Sequence, residues 1–145
     1  ALRVAFRRHR GGYHEVPALW RPMMQSAAER GPTAQPAPFY GVCPDDPDVT
    51  AEEHLRFDAC VVVGNDFTAD ESVSIAEIPA GTYAVGIHVG PFDRLAETYL
   101  DVIGRWFPKS GYELAPEAVV EHYLDDPSIV PPGKLRTEVC VRIAE

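Results

Sequence analysis

The sequence predicts an α+β domain made of two copies of a β-α-β-β unit. The first observation is an internal repeat, in which residues 4–13 match residues 83–92 and an alanine, a histidine, a glycine and an aromatic residue recur at an offset of 79. Farther along, the offset becomes 80 and links Cys60 with Cys140. The second observation is that each half alternates short apolar runs with a stretch of helical periodicity. Two such copies predict a pseudo-twofold axis and helices packed on one side of the sheets.

The size of the chain fits one compact domain over residues 1–145, with repeats at about 1–65 and 71–145. Its 46% apolar and 24% charged residues are typical of a globular protein. Fourteen prolines and eleven glycines indicate many turns. We therefore expect a single folded domain that is rich in loops.

The first copy opens with a strand from residue 4 and continues into an apolar stripe of helical spacing. Pro22 interrupts that stripe, so a kink or a late helix start is expected there. Residues 39–43 and 57–63 are short runs of β-branched and aromatic residues, and they are predicted strands. The stripe consists of Val16, Leu19, Trp20, Met23, Met24 and Ala27.

The second copy is predicted to open with a strand pair, residues 73–78 and 83–88, joined by a Pro-Ala-Gly-Thr turn. Asp93 is placed to cap a helix, and Pro108 with Gly111 is expected to end it. Two further strands are predicted at residues 119–124 and 139–143. The helix presents one apolar stripe formed by Leu95, Ala96, Tyr99, Val102, Ile103 and Trp106.

The net charge of −9 argues against sequence-independent binding to nucleic acid, because such binding depends on Lys and Arg replacing the cations around phosphates. The same charge favours cationic ligands. Cys43, Cys60 and Cys140 are odd in number and have no Cys-x-x-Cys spacing, so buried thiols in a reducing cytoplasm are expected. No apolar run approaches the roughly 18 residues that would span a bilayer.

Four motifs resemble the GyrI-like family, which supplies the effector-binding domain of bacterial multidrug regulators. The resemblance covers nearly the whole chain. The motifs are Gly90-Pro91-Phe92, the I-P-A-G-x-Y run at 78–83, the W-x-P-x-S-G-Y-E run at 106–113 and the E-x-Y-x-x-D-P run at 121–127.

This resemblance implies two SHS2-like modules around a central cleft and a buried glutamate that receives cationic aromatic ligands. By the E-x-Y motif, that glutamate is Glu121. The resemblance also implies the sensor part of a cytoplasmic transcription regulator of the AraC or MerR type, without a cofactor. Because the chain starts at Ala1 without a methionine, we expect any contact with DNA to come from an upstream domain; a homodimer stays open.

The residues around Glu121 independently mark it as unusual. It lies within an apolar run, and period-two alternation puts it on the same face as Val119 and Tyr123. A carboxylate there is costly unless it is paired. The alternative is a structural glutamate that faces solvent or pairs with an arginine such as Arg136 or Arg56.

Flat ligands need aromatic walls, and the repeat directs attention to equivalent segments of both halves. Most aromatic residues are expected to belong to the core. His9 and His88 are related by the repeat, and a structural role is expected because no further ligands fall at metal-binding spacing. The candidate ligand-binding residues are Glu121, Tyr123, Trp106, Phe39, Tyr40, Trp20, Tyr13 and Phe92.

Two functions other than a sensor remain open at this stage. Some family members resemble hydrolases that open the cyclopropane rings of genotoxic natural products, and there Glu121 would activate water with help from Tyr123. Other small relatives bind DNA gyrase. The sequence shows no Gly-x-Ser-x-Gly motif, phosphate loop or Cys/His pair that would favour another enzyme class.

Overall fold

The computed structural model describes residues 2–11, 39–45, 49–65, 67–69, 73–116, 118–125 and 129–144. The chain divides into two compact units, Ala1–Ala80 and Gly81–Glu145. Within the described residues both are built on antiparallel sheet; the first unit also has a short 3-10 turn, Glu52–His54, and the second has the one longer helical segment. This agrees with the α+β class.

In its described residues, the first unit contains four antiparallel strands in the order β4-β1-β3-β2. Strand β1 lies between β3 and β4, with Val4 opposite Val62 on one side and Ala76 on the other. Apolar residues that are almost fully buried, including Ala59 and Cys60, form the centre of β3. The strands are β1 Leu2–Arg10, β2 Phe39–Cys43, β3 Arg56–Val62 and β4 Ser74–Ile78.

The second unit contains three antiparallel strands in the order β6-β7-β5 and one helical segment, residues 95–110. The helical segment starts as an α-helix (Leu95–Tyr99), widens into a π-helix (Leu100–Trp106) and ends as an α-helix (Phe107–Ser110). Short 3-10 turns precede it and β7. The strands are β5 Tyr83–Val89, β6 Val119–Tyr123 and β7 Arg136–Arg142.

Helix and sheet pack closely in the second unit because β5 carries a glycine at their contact. A methyl group at Gly86 would overlap Cγ2 of Val102 on the helical segment. Val102 and Phe107 are buried against Val139, at the centre of β7. This core fixes which face of the sheet the helix covers.

The helix prediction was right for the middle of its stripe, since Tyr99, Val102 and Ile103 pack on the core. It was wrong for Ala96 and Trp106, which are exposed, and wrong at its ends. Asp93 does not cap the helix with its side chain, because a 3-10 turn, Phe92–Arg94, starts one residue earlier and contains it. Pro108 does not end the helix either. The N–H of Phe107 donates to the carbonyl of Val102, five residues back, and this wider turn accommodates the proline. Gly111 ends the segment in the left-handed conformation, φ 79°.

Every strand predicted within the described residues is present, with shifts of up to three residues at the ends. The predicted pairing of residues 73–78 with 83–88 is wrong. Strand β4 pairs with β1, and β5 pairs with β7. The physical reason is that Thr82 does not close a turn: its carbonyl accepts the N–H of Ile143 beyond β7. The predicted first-half helix and Pro22 lie outside the described residues.

Candidate functional site

Strand β6 positions a carboxylate on the face of the sheet that the helical segment covers. Glu121 lies opposite Val139, which is fully buried in β7, so its side chain shares a face with that core residue. The same alternation places Tyr123 on this face. Glu121 is only 7% exposed. A carboxylate so placed requires polar partners.

Two tyrosine hydroxyls bind this carboxylate. Tyr123 donates to Oε1 of Glu121 at 2.7 Å, and Tyr99, from the helical segment, donates to Oε2. The ring of Phe92 meets the ring of Tyr123 edge to face, with centroids 5.6 Å apart. The four residues Glu121, Tyr99, Tyr123 and Phe92 are called the Glu121 cluster below.

The structural alternatives named for Glu121 were exposure to solvent and a pair with an arginine such as Arg136 or Arg56. Its side chain is not turned to solvent. Arg136 instead binds Asp125 with Nε at 3.0 Å and Nη2 at 2.8 Å, while Arg56 binds Asp45 at 2.9 and 2.8 Å. In each pair the guanidinium holds the pKa of the aspartate below its usual range. Both arginines named as alternative partners are thus engaged with other carboxylates.

The strand pair around Glu121 has a counterpart in the first unit that carries no carboxylate. At the repeat offset of 80, Glu121 matches Gly41 in β2, and Tyr123 matches Cys43. The strand registers agree with this match, because Gly41 lies opposite Ala59 and Glu121 lies opposite Val139. One unit therefore builds the same strand pair without a carboxylate.

Trp106 belongs to a different part of the second unit. It stacks on Tyr112, with centroids 6.0 Å apart and an interplanar angle of 19°. Both rings line a groove of about 470 Å³ beside β5, together with Asp101 and Val102 of the helical segment. Residues 82–86 form the opposite wall of this groove.

The remaining aromatic candidates fall elsewhere. Phe39 and Tyr40 lie on β2 of the first unit, where Tyr40 is buried and Phe39 is half-buried. Trp20 and Tyr13 lie outside the described residues. Sequence reasoning had placed Tyr99 only in the apolar stripe of the helix. Its spacing on the stripe shows that it faces the sheet, but not which strand residue its hydroxyl reaches.

His88 has a structural role. Its Nε2 lies 3.0 Å from the carbonyl oxygen of Pro91, and its Nδ1 lies 2.9 Å from the hydroxyl of Thr98. Because a carbonyl only accepts, Nε2 of the neutral ring carries the proton and Nδ1 accepts from Thr98. The histidine thus ties β5 to the start of the helical segment.

The described residues include all three cysteines of the chain and several possible metal ligands. No group of three or more His, Cys, Asp or Glu residues there could hold a metal ion. Cys60 and Cys140 form no disulfide. Cys60 is buried as expected, whereas Cys140 is only half-buried, and burial raises the pKa of its thiol to about 12. None of the described helices is long and apolar enough to cross a membrane.

Two groups of curated relatives share sequence with this chain. The probable transcriptional regulator YgiV of Escherichia coli K12 is 36% identical over 106 residues, which is 72% of this chain and 66% of YgiV. The DNA gyrase inhibitor of Erwinia billingiae is 34% identical over 97 residues, 63% of this chain and 61% of that protein. The chain thus spans slightly less than two thirds of the length of these relatives.

Solved structures show the same fold over nearly the whole chain. The C-terminal domain of EcmrR matches with a TM-score of 0.84 and 22% identity, covering 99% of this chain and 92% of that domain. SAV2435 bound to tetraphenylphosphonium matches with a TM-score of 0.65 and 14% identity, over 99% and 88%. The model of the GyrI-like small molecule binding domain matches residues 1–144. This chain therefore belongs to the GyrI-like small molecule binding domain family.

Proposed function

We propose that the chain is the sensor domain of a transcription regulator and that it binds an apolar, aromatic cation at the Glu121 cluster. The observation that carries the proposal is the buried carboxylate of Glu121, at a position that is Gly41 in the other unit. A carboxylate buried where burial is costly, at a position whose counterpart carries none, indicates a binding role.

The cluster is chemically suited to a lipophilic cation. Its two tyrosine hydroxyls are neutral, so they stabilise the charge of Glu121 without cancelling it. Phe92 and Tyr123 offer aromatic surface, whose faces attract cations. In a site of low dielectric constant, such an ion pair is stronger than in water.

Family relatives support the regulatory part of the proposal. YgiV is described as a probable transcriptional regulator, and EcmrR has been solved in complex with DNA. A neighbour of the same fold, SAV2435, has been solved with tetraphenylphosphonium, an aromatic cation. We propose a cytoplasmic location and a DNA-binding region separate from this domain, since the net charge of −9 disfavours direct contact with phosphates.

We also propose that the two units are duplicated SHS2-like modules. Two sets of hydrogen bonds that recur at equivalent positions of both units support this. In one unit the backbone N–H and guanidinium of Arg56 bind Asp45, and in the other those of Arg136 bind Asp125, an offset of 80 in both residues. Likewise, Gly11 donates to the carbonyl of Leu55, and Gly90 to that of Leu135.

The hydrolase alternative uses the same carboxylate. A glutamate that activates water needs an oxygen that can accept a proton from it. Each carboxylate oxygen of Glu121 accepts one tyrosine hydroxyl and keeps a second lone pair. The hydrolase is therefore tested by turnover of a bound ligand.

The test is a fluorescence titration with a cationic aromatic dye and a neutral dye of the same ring system. We expect Glu121→Gln to weaken binding of the cationic dye by about 1 to 3 kcal/mol and to leave binding of the neutral dye nearly unchanged. The matched control is Glu138→Gln on β7, which removes the same charge on the opposite face of the sheet. It should change neither affinity by more than about twofold.

Two results would overturn the proposal. Equal losses for both dyes in Glu121→Gln would show that the residue shapes the site without acting as a counter-charge. A collapse of the melting temperature in that variant would show that the carboxylate is structural. Steady disappearance of a bound ligand in the wild type only would instead support the hydrolase.

A further inference from the structure

A second polar side chain is buried on the sheet face that carries Glu121. Thr137, on β7, is fully buried, at 0% exposure. Within the part of the chain that the structure describes, its Oγ1 has no hydrogen-bond partner. A buried hydroxyl without a partner lowers stability, because it loses its bonds to water and gains nothing in exchange. Native proteins leave few such groups unpaired, so the hydroxyl of Thr137 calls for an explanation.

The strand register places Thr137 beside the Glu121 cluster. Thr137 lies opposite Tyr123 on one side and opposite His88 on the other. Directly opposite residues of antiparallel strands point to the same face, and the β-carbons of diagonal neighbours are up to about 7 to 8 Å apart. Glu121 is a diagonal neighbour of Thr137, since it lies opposite Val139. The hydroxyl and the carboxylate therefore share the helix-covered face at short range.

The polar neighbours of Thr137 on this face bond to other groups. Both ring nitrogens of His88 are engaged, one with a backbone carbonyl and one with the hydroxyl of Thr98. Tyr123 donates its hydroxyl to Glu121. The residues directly opposite Thr137 thus have hydrogen-bond partners of their own, and in the described residues neither of them bonds to its hydroxyl.

The first unit fills the equivalent position with an apolar ring. At the repeat offset of 80, Thr137 matches Phe57. The registers agree, because Phe57 lies opposite His9 and Thr137 lies opposite His88. Phe57 is buried as well, at 4% exposure. If the second unit needed only a smaller side chain here, valine would supply the shape of threonine without a polar group to bury. Shape therefore does not explain the hydroxyl of Thr137.

Solvent approaches this part of the cluster at Phe92. Phe92 is the most exposed residue of the Glu121 cluster, at 39%. Its ring contacts the ring of Tyr123, which is the residue opposite Thr137. Side chains at a protein surface change rotamer within picoseconds to nanoseconds. Displacement of the Phe92 ring is therefore a rapid way to open this part of the cluster.

We propose that Thr137 determines which cations the site prefers: lipophilic cations whose charged group carries N–H bonds, such as protonated amines and amidines. This inference rests on the proposed function, in which a cation binds at the Glu121 cluster. The ligand enters past Phe92, its charge lies against Glu121, and one N–H donates to Oγ1 of Thr137. Two N–H···O bonds of about 2.9 Å from one nitrogen span up to about 5.8 Å, and a bond from a charged donor is a strong one. A quaternary cation has no N–H, so it pairs with Glu121 and leaves Thr137 unpaired.

The test compares two cations that share one fluorescent ring system. The probes are 1-pyrenemethylamine, which is protonated at about pH 7, and its trimethylammonium derivative. We expect Thr137→Val to weaken binding of the protonated amine by at least about tenfold and to leave binding of the trimethylammonium compound within about twofold. Each probe is compared with itself in the two proteins, so the difference in size between the probes cancels. Thr137→Ser keeps the hydroxyl and should return the affinity for the amine to within about threefold of the wild type.

The stability of the protein without ligand gives an independent measurement. Valine keeps the β-branched shape and removes an unpaired hydroxyl, so Thr137→Val should melt at or above the temperature of the wild type. The matched control is Thr98→Val, which removes a buried hydroxyl that bonds to His88. It should lower the melting temperature by at least about 2 °C and leave the ratio of the two affinities within about twofold of that of the wild type.

Three results would overturn the inference. Equal weakening of both cations in Thr137→Val would mean that the residue only shapes the site. Unchanged binding of both cations is the result expected if a buried water pairs with the hydroxyl. A lower melting temperature in Thr137→Val would show that the hydroxyl has a partner within the protein. In each case, a loss of cation binding in Glu121→Gln leaves the proposed function standing, whereas cation binding that does not depend on Glu121 would remove both.

Discussion

The carboxylate of Glu121 is held by the hydroxyls of Tyr99 and Tyr123, and each bond comes from a different element. The bond from Tyr123 joins residues two apart on one strand, so the E-x-Y spacing already predicts it. The bond from Tyr99 crosses from helix to sheet and depends on the packing of Val102 against Gly86. Sequence periodicity does not show how closely a helix approaches the sheet, which explains why Tyr99 was missed as a member of the site.

Asp125 is expected to make stability depend on acid pH. Its bonds with Arg136 lower the pKa of the carboxyl below the unfolded value, so the stabilisation is complete above the unfolded pKa and is lost as pH falls through the folded pKa. Arg136→Met should therefore raise the pKa of Asp125 toward 3.8 and flatten the fall in unfolding free energy below about pH 4. Carboxyl ¹³C NMR titration measures the pKa of Asp125, and urea unfolding at several pH values measures the free energy of unfolding.

Arg105→Met serves as the control, since it removes an exposed arginine whose partner is Asp101. It should leave the Asp125 titration unchanged. An unaltered Asp125 pKa in Arg136→Met would mean that the observed ion pair does not persist in solution.

At the scale of elements, β5 and the helical segment depend on one close contact. Because Gly86 faces Val102 without a side chain, Gly86→Ala should force the helix outward and cost about 1 to 3 kcal/mol of unfolding free energy. Urea denaturation measures the change. Gly133→Ala is the matched control, because nothing lies within 4 Å of a methyl group there, and it should alter stability by less than about 1 kcal/mol. A Gly86→Ala protein as stable as the wild type would refute the close packing.

The positions of the strands were more predictable than the way in which the strands pair. Apolar runs bounded by proline, aspartate and glycine correctly located the strands, since those residues act locally. The pairing of residues 73–78 with 83–88 was wrong because the Pro-Ala-Gly-Thr sequence suits a tight turn, whereas long-range bonds from β1 and Ile143 decide the outcome. The π-helix before Pro108 was likewise invisible in a pattern that assumes 3.6 residues per turn.

For the whole molecule, the repeat and the net charge of −9 were the most informative features of the sequence. The repeat identifies Gly41 as the counterpart of Glu121. The negative net charge raises the concentration of cations near the protein surface. The aromatic candidates were less predictable, because a ring on a strand or helix serves core and ligand equally well. Trp106 illustrates this: it lines the groove beside β5 with Tyr112.

The central claim, that a cation binds against Glu121, is tested most directly by locating one. Crystals grown with tetraphenylarsonium would reveal the arsenic atom by its anomalous scattering. The account predicts one dominant peak within about 6 Å of the Glu121 carboxylate, the range over which opposite charges interact strongly, and its loss in Glu121→Gln. A dominant peak in the groove beside Trp106, or one that persists in Glu121→Gln, would contradict it.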